Sequence, residues 1–222
     1  PEEGEKWASL DYSQQEPRLL VHYAQKHGLE GAETLIKFFH EGKDFHQVTA
    51  EMAQISRKEA KTIGLGLMYG MGIAKLADSL DISPDQAKAL KKKYNDNVQF
   101  LNNIIVRATR YTEQNGFINT LLGRRCRFEL WENKDFYDKR MMSYENAKKV
   151  WAWNEMKRAG TYRALNRLIQ GSAADQTKKA MVDLWKNVGV IPMIQIHDEL
   201  NVSVANETQV KEIKEIMESA VE

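Results

Sequence analysis

Residues 190–204 read Val190-Ile-Pro-Met-Ile-Gln-Ile-His197-Asp198-Glu199-Leu-Asn-Val-Ser-Val204. A continuous apolar run, VIPMIQI, meets three polar residues and then a second apolar-rich run, LNVSV. Strand, polar tip, strand is the signature of a β-hairpin that presents its turn on an edge. The tip carries adjacent carboxylates, Asp198 and Glu199, whose mutual repulsion is costly unless positive charge sits nearby. Taken alone, it is an ordinary polar turn.

Near the other end of the chain, KWASLDY (residues 6–12) alternates loosely and predicts a short strand finishing at Asp11. If that strand neighbours the hairpin, Asp11 and Asp198 meet at one sheet edge, although they come from opposite ends of the chain. Such an edge, with carbonyls freed by the turn, can hold hard divalent cations and suits two-metal phosphoryl transfer. The segment Asp11-Tyr12-Ser13-Gln14-Gln15-Glu16 has a plainer reading too, because Asp and Ser commonly start helices.

The interior of the chain is helical by its signals. A helix is expected from Pro17 to Gly28, then helices over 31–41 and 44–54, the latter capped by Asp44. Ser56 with Glu59 forms a capping box that opens a helix ended by Gly70, and Ser83-Pro84-Asp85-Gln86 opens another. A long apolar-periodic stretch from about Asn97 ends at Gly116. Residues 117–129 read as a hairpin, 130–144 as loop, and 144–185 as one long helix broken near Gly160 and Gly171. Asn206 and Gln209 cap a final helix. The class expected is α+β and mostly helical, with strands from both ends of the chain.

Composition excludes several functions. In 222 residues the single cysteine, Cys126, cannot close an internal disulfide, and no Cys/His spacing suits zinc. No apolar run approaches the ~18 residues of a membrane-spanning helix, and residues 1–15 lack a signal-peptide pattern. The chain does not begin with methionine and reads as a piece of a longer one. Net charge is +1, yet residues 57–127 hold 13 Lys/Arg against 6 Asp/Glu and 148–179 hold 8 against 2. The two ends are acidic. These blocks are either solvated helix faces or a positive surface for polyphosphate beside a carboxylate cluster.

The capped helix sharpens the second reading. At ~100° per residue, Arg57, Lys61, Gly64, Leu65 and Met68 cover about a third of its circumference, with Tyr69 just beyond. Arg57 and Lys61 point the same way near a helix N-terminus, whose dipole adds to a field suited to a triphosphate. A surface helix with two solvated bases has the same spacing.

Together the segments resemble the family A DNA polymerases, in particular phage-encoded members. DYSQQEPR is similar to the first palm motif, RKEAKTIGLGLMYGMG to the fingers-helix motif, and IQIHDEL to the second palm motif. TLLGRR and ALNRLIQGSAADQTKKAM agree as well, giving five blocks in order. The resemblance implies a small antiparallel palm sheet with a helical fingers subdomain. Palm would be residues 1–19 and 144–222, and fingers 20–143, including the nucleotide-binding helix 56–69 and the hairpin near 117–129. Thumb and exonuclease are absent from these residues.

The resemblance also implies roles. Asp11, Asp198 and the Tyr12 carbonyl would hold two Mg²⁺ ions, with Glu199 a supporting acid. Lys61, Arg57 and His46 would hold the phosphates of an incoming dNTP. Glu16 with Tyr69 would crowd the sugar's 2′ position. Gln14, Asn166, Gln170 and His197 would follow the minor groove of primer–template DNA, and Arg124 and Arg125 would reach its backbone. The site would work in the host cytoplasm if phage-encoded. Leu65 stands where the family has Phe or Tyr, Tyr162 where it has Arg, and Leu168 where it has Pro. The competing expectations are a catalytically silent DNA-binding fragment, a metal-dependent nuclease, which leaves the Arg57/Lys61 helix unexplained, and a purely structural helical protein.

Overall fold

Side-chain caps open three of the seven helices of the interior. In the computed structural model, which describes residues 1–135, 138 and 140–221, strand β1 (Lys6–Asp11) leads into α1 (Gln15–Lys26). Helices α2 (Ala32–His40) and α3 (Phe45–Ala53) follow, and the Asp44 carboxylate accepts the Gln47 N–H as the N-cap of α3. The Ser56/Glu59 capping box is fully formed at the start of α4 (Arg57–Met68), as is its Ser83/Gln86 counterpart at α6 (Pro84–Asn97). Between them lies α5 (Ile73–Leu80), for which the sequence offers no side-chain cap, since its N-cap is Gly72. Helix α7 (Gln99–Asn115) ends at Gly116 in the left-handed conformation.

The hairpin after α7 is present as β2 (Phe117–Asn119) and β3 (Arg125–Arg127). Residues 130–144, expected as loop, instead contribute β4 (Leu130–Asn133) and β5 (Met141–Ser143), although 136, 137 and 139 lie outside the described residues. The single long helix expected over 144–185 is also corrected. Its first part is a short α8 (Tyr144–Val150), a 3-10 turn and β6 (Met156–Arg158), which pairs with β4 to complete a three-stranded sheet. Strands of three or four residues are too short to show a period, so sequence reasoning missed them.

Helix α9 (Ala164–Val188) then runs unbroken through Gly171. That glycine is set by packing: a Cβ there would lie 2.5 Å from the Thr120 methyl. Of VIPMIQI, only β7 (Ile194–Ile196) is strand, and it is exposed, as an edge strand of apolar sequence can be. Strand β8 (Glu199–Val204) sits between β1 and β7, and α10 (Glu207–Glu218), capped by Asn206, closes the described chain.

Three apolar cores result. The largest joins α1–α7 to the first half of α9, through Leu165, Leu168, Ile169 and Ala173. A second lies under the β1–β8–β7 sheet and takes Ala180 and Leu184 from the same helix. A small third core, Ala147, Trp151 and Met156, belongs to the β4–β5–β6 module. Helix α9 is therefore shared between the two main cores. No helix of the described residues is long and apolar enough to cross a membrane.

Candidate active site

Strand register brings the two ends of the chain together. Antiparallel β1 and β8 pair Lys6 with Val204 and Asp11 with Glu199, so Asp11 stands directly opposite the hairpin tip. The Tyr12 N–H extends the ladder to the Asp198 carbonyl at 3.4 Å. The tight tip forces His197 to a positive φ of 54°, a conformation uncommon for a residue with a side chain. Side chains two apart share a sheet face, so Ser9, Asp11, Glu199 and Asn201 face one way, while Leu10, Leu200 and Val202 face the core.

The carboxylates have different surroundings. Burial, followed by the negative charges of Asp198 and Glu199, raises the Asp11 pKa. Glu199 accepts the Ser9 hydroxyl at 2.5 Å and the Asn201 amide at 2.7 Å, which lower its pKa in that order. Asn201 is itself held by the Trp7 indole N–H at 2.9 Å. Neither Asp11 nor Asp198 makes an ion pair among the described residues. An uncompensated carboxylate pair beside backbone carbonyls is a hard-oxygen donor set that fits Mg²⁺. Mg²⁺ typically takes one or two protein carboxylates and completes its shell with water and substrate phosphate. Among the described residues no group of three or more His, Cys, Asp or Glu side chains could hold a metal ion.

A cavity of about 490 Å³ opens beside Asp198 and is lined also by Glu16, Tyr69, Gln170 and His197. Four separated motifs thus meet at one groove. The Tyr69 hydroxyl donates to Glu16 Oε2 at 2.7 Å. Burial, then Glu16, pushes the Tyr69 pKa up to about 12, with Gln170 also bonded to the phenol. Asn166 sits one turn before Gln170 on α9, on the same face. Leu65, half-buried, packs on the main core.

The cationic helix is less free than its spacing suggests. Arg57 is clamped to Asp44 by two bonds of 3.0 Å. Burial opposes the charge on Asp44, but Arg57 and the Gln47 amide together hold its carboxyl below the usual value. Lys61 is exposed and makes no ion pair among the described residues. His46 is 8% exposed and its Nδ1 has no partner among the described residues. Burial lowers its pKa against the pull of Asp44, and Lys61 and Arg57 lower it further. The imidazole beside the cationic pair is therefore held toward its neutral form.

Other expected contacts have structural partners. Gln14 adopts a left-handed φ of 55° and its side chain accepts the Phe45 N–H at 2.7 Å and donates to the Lys43 carbonyl. It ties the start of α1 to the start of α3. Arg124 donates to Asp175 and to the Gly171 carbonyl, both at 2.9 Å. Arg125 lies over the Phe117 ring, 4.0 Å from its centroid. Sequence reasoning assigned no part to Asp175, which is buried and also accepts the Thr120 hydroxyl. An aspartate in the middle of a helix (SAADQ) with an arginine pair upstream was the available signal.

Tyr162, at the position where an arginine was expected, lies against Gly70: a Cβ on that glycine would come within 2.8 Å of its ring. The following Arg163 donates to the Tyr162 hydroxyl at 2.8 Å.

The fold and groove define a mostly helical α+β protein with paired carboxylates at a sheet edge, and comparison with known proteins narrows it. The family model for DNA polymerase family A matches residues 1–222. The chain is 36% identical to a DNA-directed DNA polymerase of Pseudomonas phage M6, covering 98% of this chain and 36% of that one. It is 31% identical to the thermostable DNA polymerase I of Thermus aquaticus, over 98% of this chain and 25% of that one. Among solved structures it is similar to the POL domain of Pol1 from M. smegmatis in complex with DNA primer-template and dNTP. The TM-score there is 0.72 at 27% identity, over 98% of this chain and 37% of the other.

The chain belongs to DNA polymerase family A. It spans roughly a third or less of the length of these relatives.

Proposed function

We propose that this segment carries the catalytic carboxylates and nucleotide-binding helix of a template-directed DNA polymerase, which adds dNTPs to a primer 3′-hydroxyl. The observation that carries the reading is the β1–β8 register, which aligns Asp11 with the hairpin tip beside the groove of Glu16, Tyr69 and Gln170. Residues 1–19 and 144–222 act as palm and 20–143 as fingers.

Asp11, Asp198 and the Tyr12 carbonyl would hold two Mg²⁺ ions. When bound, these ions activate the primer hydroxyl and steady the charge of the leaving pyrophosphate. Lys61 attracts the triphosphate, and Arg57 joins it by exchanging part of its Asp44 contact for phosphate oxygens. His46, kept toward neutrality, can donate a hydrogen bond without adding charge. Tyr69 fixes the Glu16 carboxylate where it excludes a ribose 2′-hydroxyl. Asn166, Gln170 and His197 contact the primer–template duplex, which positions the reacting atoms.

Replacing the carboxylate in Asp198→Ala is expected to abolish Mg²⁺-dependent primer extension while leaving primer–template affinity within about twofold, because no phosphate-binding cation is removed. Extension that persists in this variant would refute the reading.

A further inference from the structure

The β4–β5–β6 module carries a feature that the nucleotide groove does not use. Trp131 from β4, Tyr144 from α8 and Trp153 from the following turn form a triangle of rings, with centroids 5.3, 5.6 and 6.4 Å apart. They line a cavity of about 1090 Å³ together with Lys134, Lys157 and Arg158. Trp153 is 67% exposed and Tyr144 41%. Trp131 packs against the module's own small core of Ala147, Trp151 and Met156, which anchors it, whereas Tyr144 and Trp153 stand exposed outside that core.

Charge and continuity identify the occupant. Arg158 lies over the part-buried Trp131 ring at 4.9 Å, and Lys148, paired with Glu145, lies over the exposed Tyr144 ring at 5.6 Å. Glu113 and Glu129 also line the cavity, which makes it mixed in charge, but the basic side chains continue beyond it. Arg127, Arg163 and Arg167 line the adjoining cavity of about 360 Å³. Arg163 immediately precedes α9, on which Asn166, Arg167 and Gln170 then share one face, and Gln170 opens on the Asp198 groove. At ~1.5 Å per residue, the stretch of that helix from Ala164 to Gln170 rises about 9 Å. A basic track thus joins the aromatic triangle to the groove.

We propose that Trp131, Tyr144 and Trp153 form a stacking platform for unpaired bases of the single-stranded template, which the arginine track leads toward the groove. The proposal rests on the polymerase reading for the identity of the strand. Exposed rings between cations bind single strands because every unpaired base offers a π-face, whereas duplex bases are already stacked.

The test compares primer–template DNA with a short and a long 5′ template overhang, measuring affinity and tryptophan quenching. Wild-type protein should bind the long overhang more tightly. The double variant Trp153→Ala/Tyr144→Ala should lose between about fivefold and a hundredfold of that preference, the range expected for one or two stacked bases. Trp153→Phe should keep most of it, and both variants should bind the short overhang as wild type does. An unchanged preference in the double variant, or none in wild type, would overturn the platform. Primer extension without any overhang effect would remove the platform and leave the polymerase reading standing. An intact overhang effect without extension would do the reverse.

Discussion

Gly171→Ala sets two physical effects of opposite sign against each other. In an exposed helix interior the substitution would stabilise by about 1 kcal/mol, the difference in helix propensity. Here the new Cβ would lie 2.5 Å from Thr120 Cγ2, a separation real methyl groups do not tolerate. Thr120 cannot easily turn away, because it is 4% exposed and its hydroxyl donates to Asp175, with the Arg124 carbonyl 3.2 Å from the same oxygen. Overpacking a fixed neighbour costs about 1–3 kcal/mol, so after the ~1 kcal/mol propensity gain the variant should be destabilised by up to about 2 kcal/mol net. Urea denaturation reads this directly, as a lower midpoint at unchanged slope.

Thr120→Ser supplies the control, since serine keeps the hydroxyl and removes the clashing methyl. In that background Gly171→Ala should become neutral or stabilising, which gives a coupling of about 1–3 kcal/mol in a double-mutant cycle. A stabilising Gly171→Ala in the wild-type background, or a coupling near zero, would refute the steric account and return Gly171 to an unexplained helix glycine.

Further outcomes follow from the groove. Asp44→Asn keeps an acceptor for the Gln47 N–H but weakens the clamp on Arg57. The KM for dNTP in steady-state extension should fall about two- to fivefold, the range that exposed ion pairs reach, and a rise would show that Asp44 presents Arg57 to phosphate. Tyr69→Phe removes the donor to Glu16 and should lower discrimination against ribonucleotides about two- to tenfold, as one lost hydrogen bond does. An unchanged ratio of kcat/KM for dNTP over rNTP would separate Tyr69 from sugar selection. Leu65→Tyr restores an aromatic hydroxyl on α4 and should improve dideoxynucleotide incorporation by about tenfold or more, the effect of one contact of ~1.4 kcal/mol. Equal incorporation by both proteins would refute a role for Leu65 there.

What the sequence made legible was local or tied to motifs. Capping boxes at Ser56 and Ser83 are four-residue signals, and both are formed. The Asp11 and Asp198 edge was legible because Asp11 ends a loosely alternating run and Asp198 sits in a strand–polar tip–strand pattern, and the two strands pair. What stayed hidden depends on partners remote in sequence. Gln14 reads as a groove residue until Phe45 takes its carbonyl oxygen, and Arg57 reads as free until Asp44 is found beside it. Gly160 and Gly171 both looked like helix breakers. The first does precede the helix at a φ of 70°, whereas the second is a small residue chosen by the methyl of Thr120. Glycine as conformational freedom and glycine as absence of volume are indistinguishable without the neighbour.

The same distinction gives Gly70 its place, because there both reasons apply at once. Its φ of 72° favours glycine, and any Cβ would strike the Tyr162 ring at 2.8 Å. Tyr162 sits two residues before α9 begins, and Tyr69, immediately before Gly70, holds Glu16 and contacts Gln170. One backbone point therefore sets the end of the cationic helix, the Tyr69–Glu16 hydrogen bond beside it, and the start of the helix whose face carries Asn166 and Gln170. A side chain at position 70 would displace Tyr162 and α9 relative to Tyr69. Its effect should therefore reach nucleotide selection and DNA contacts together, although Gly70 itself lines neither.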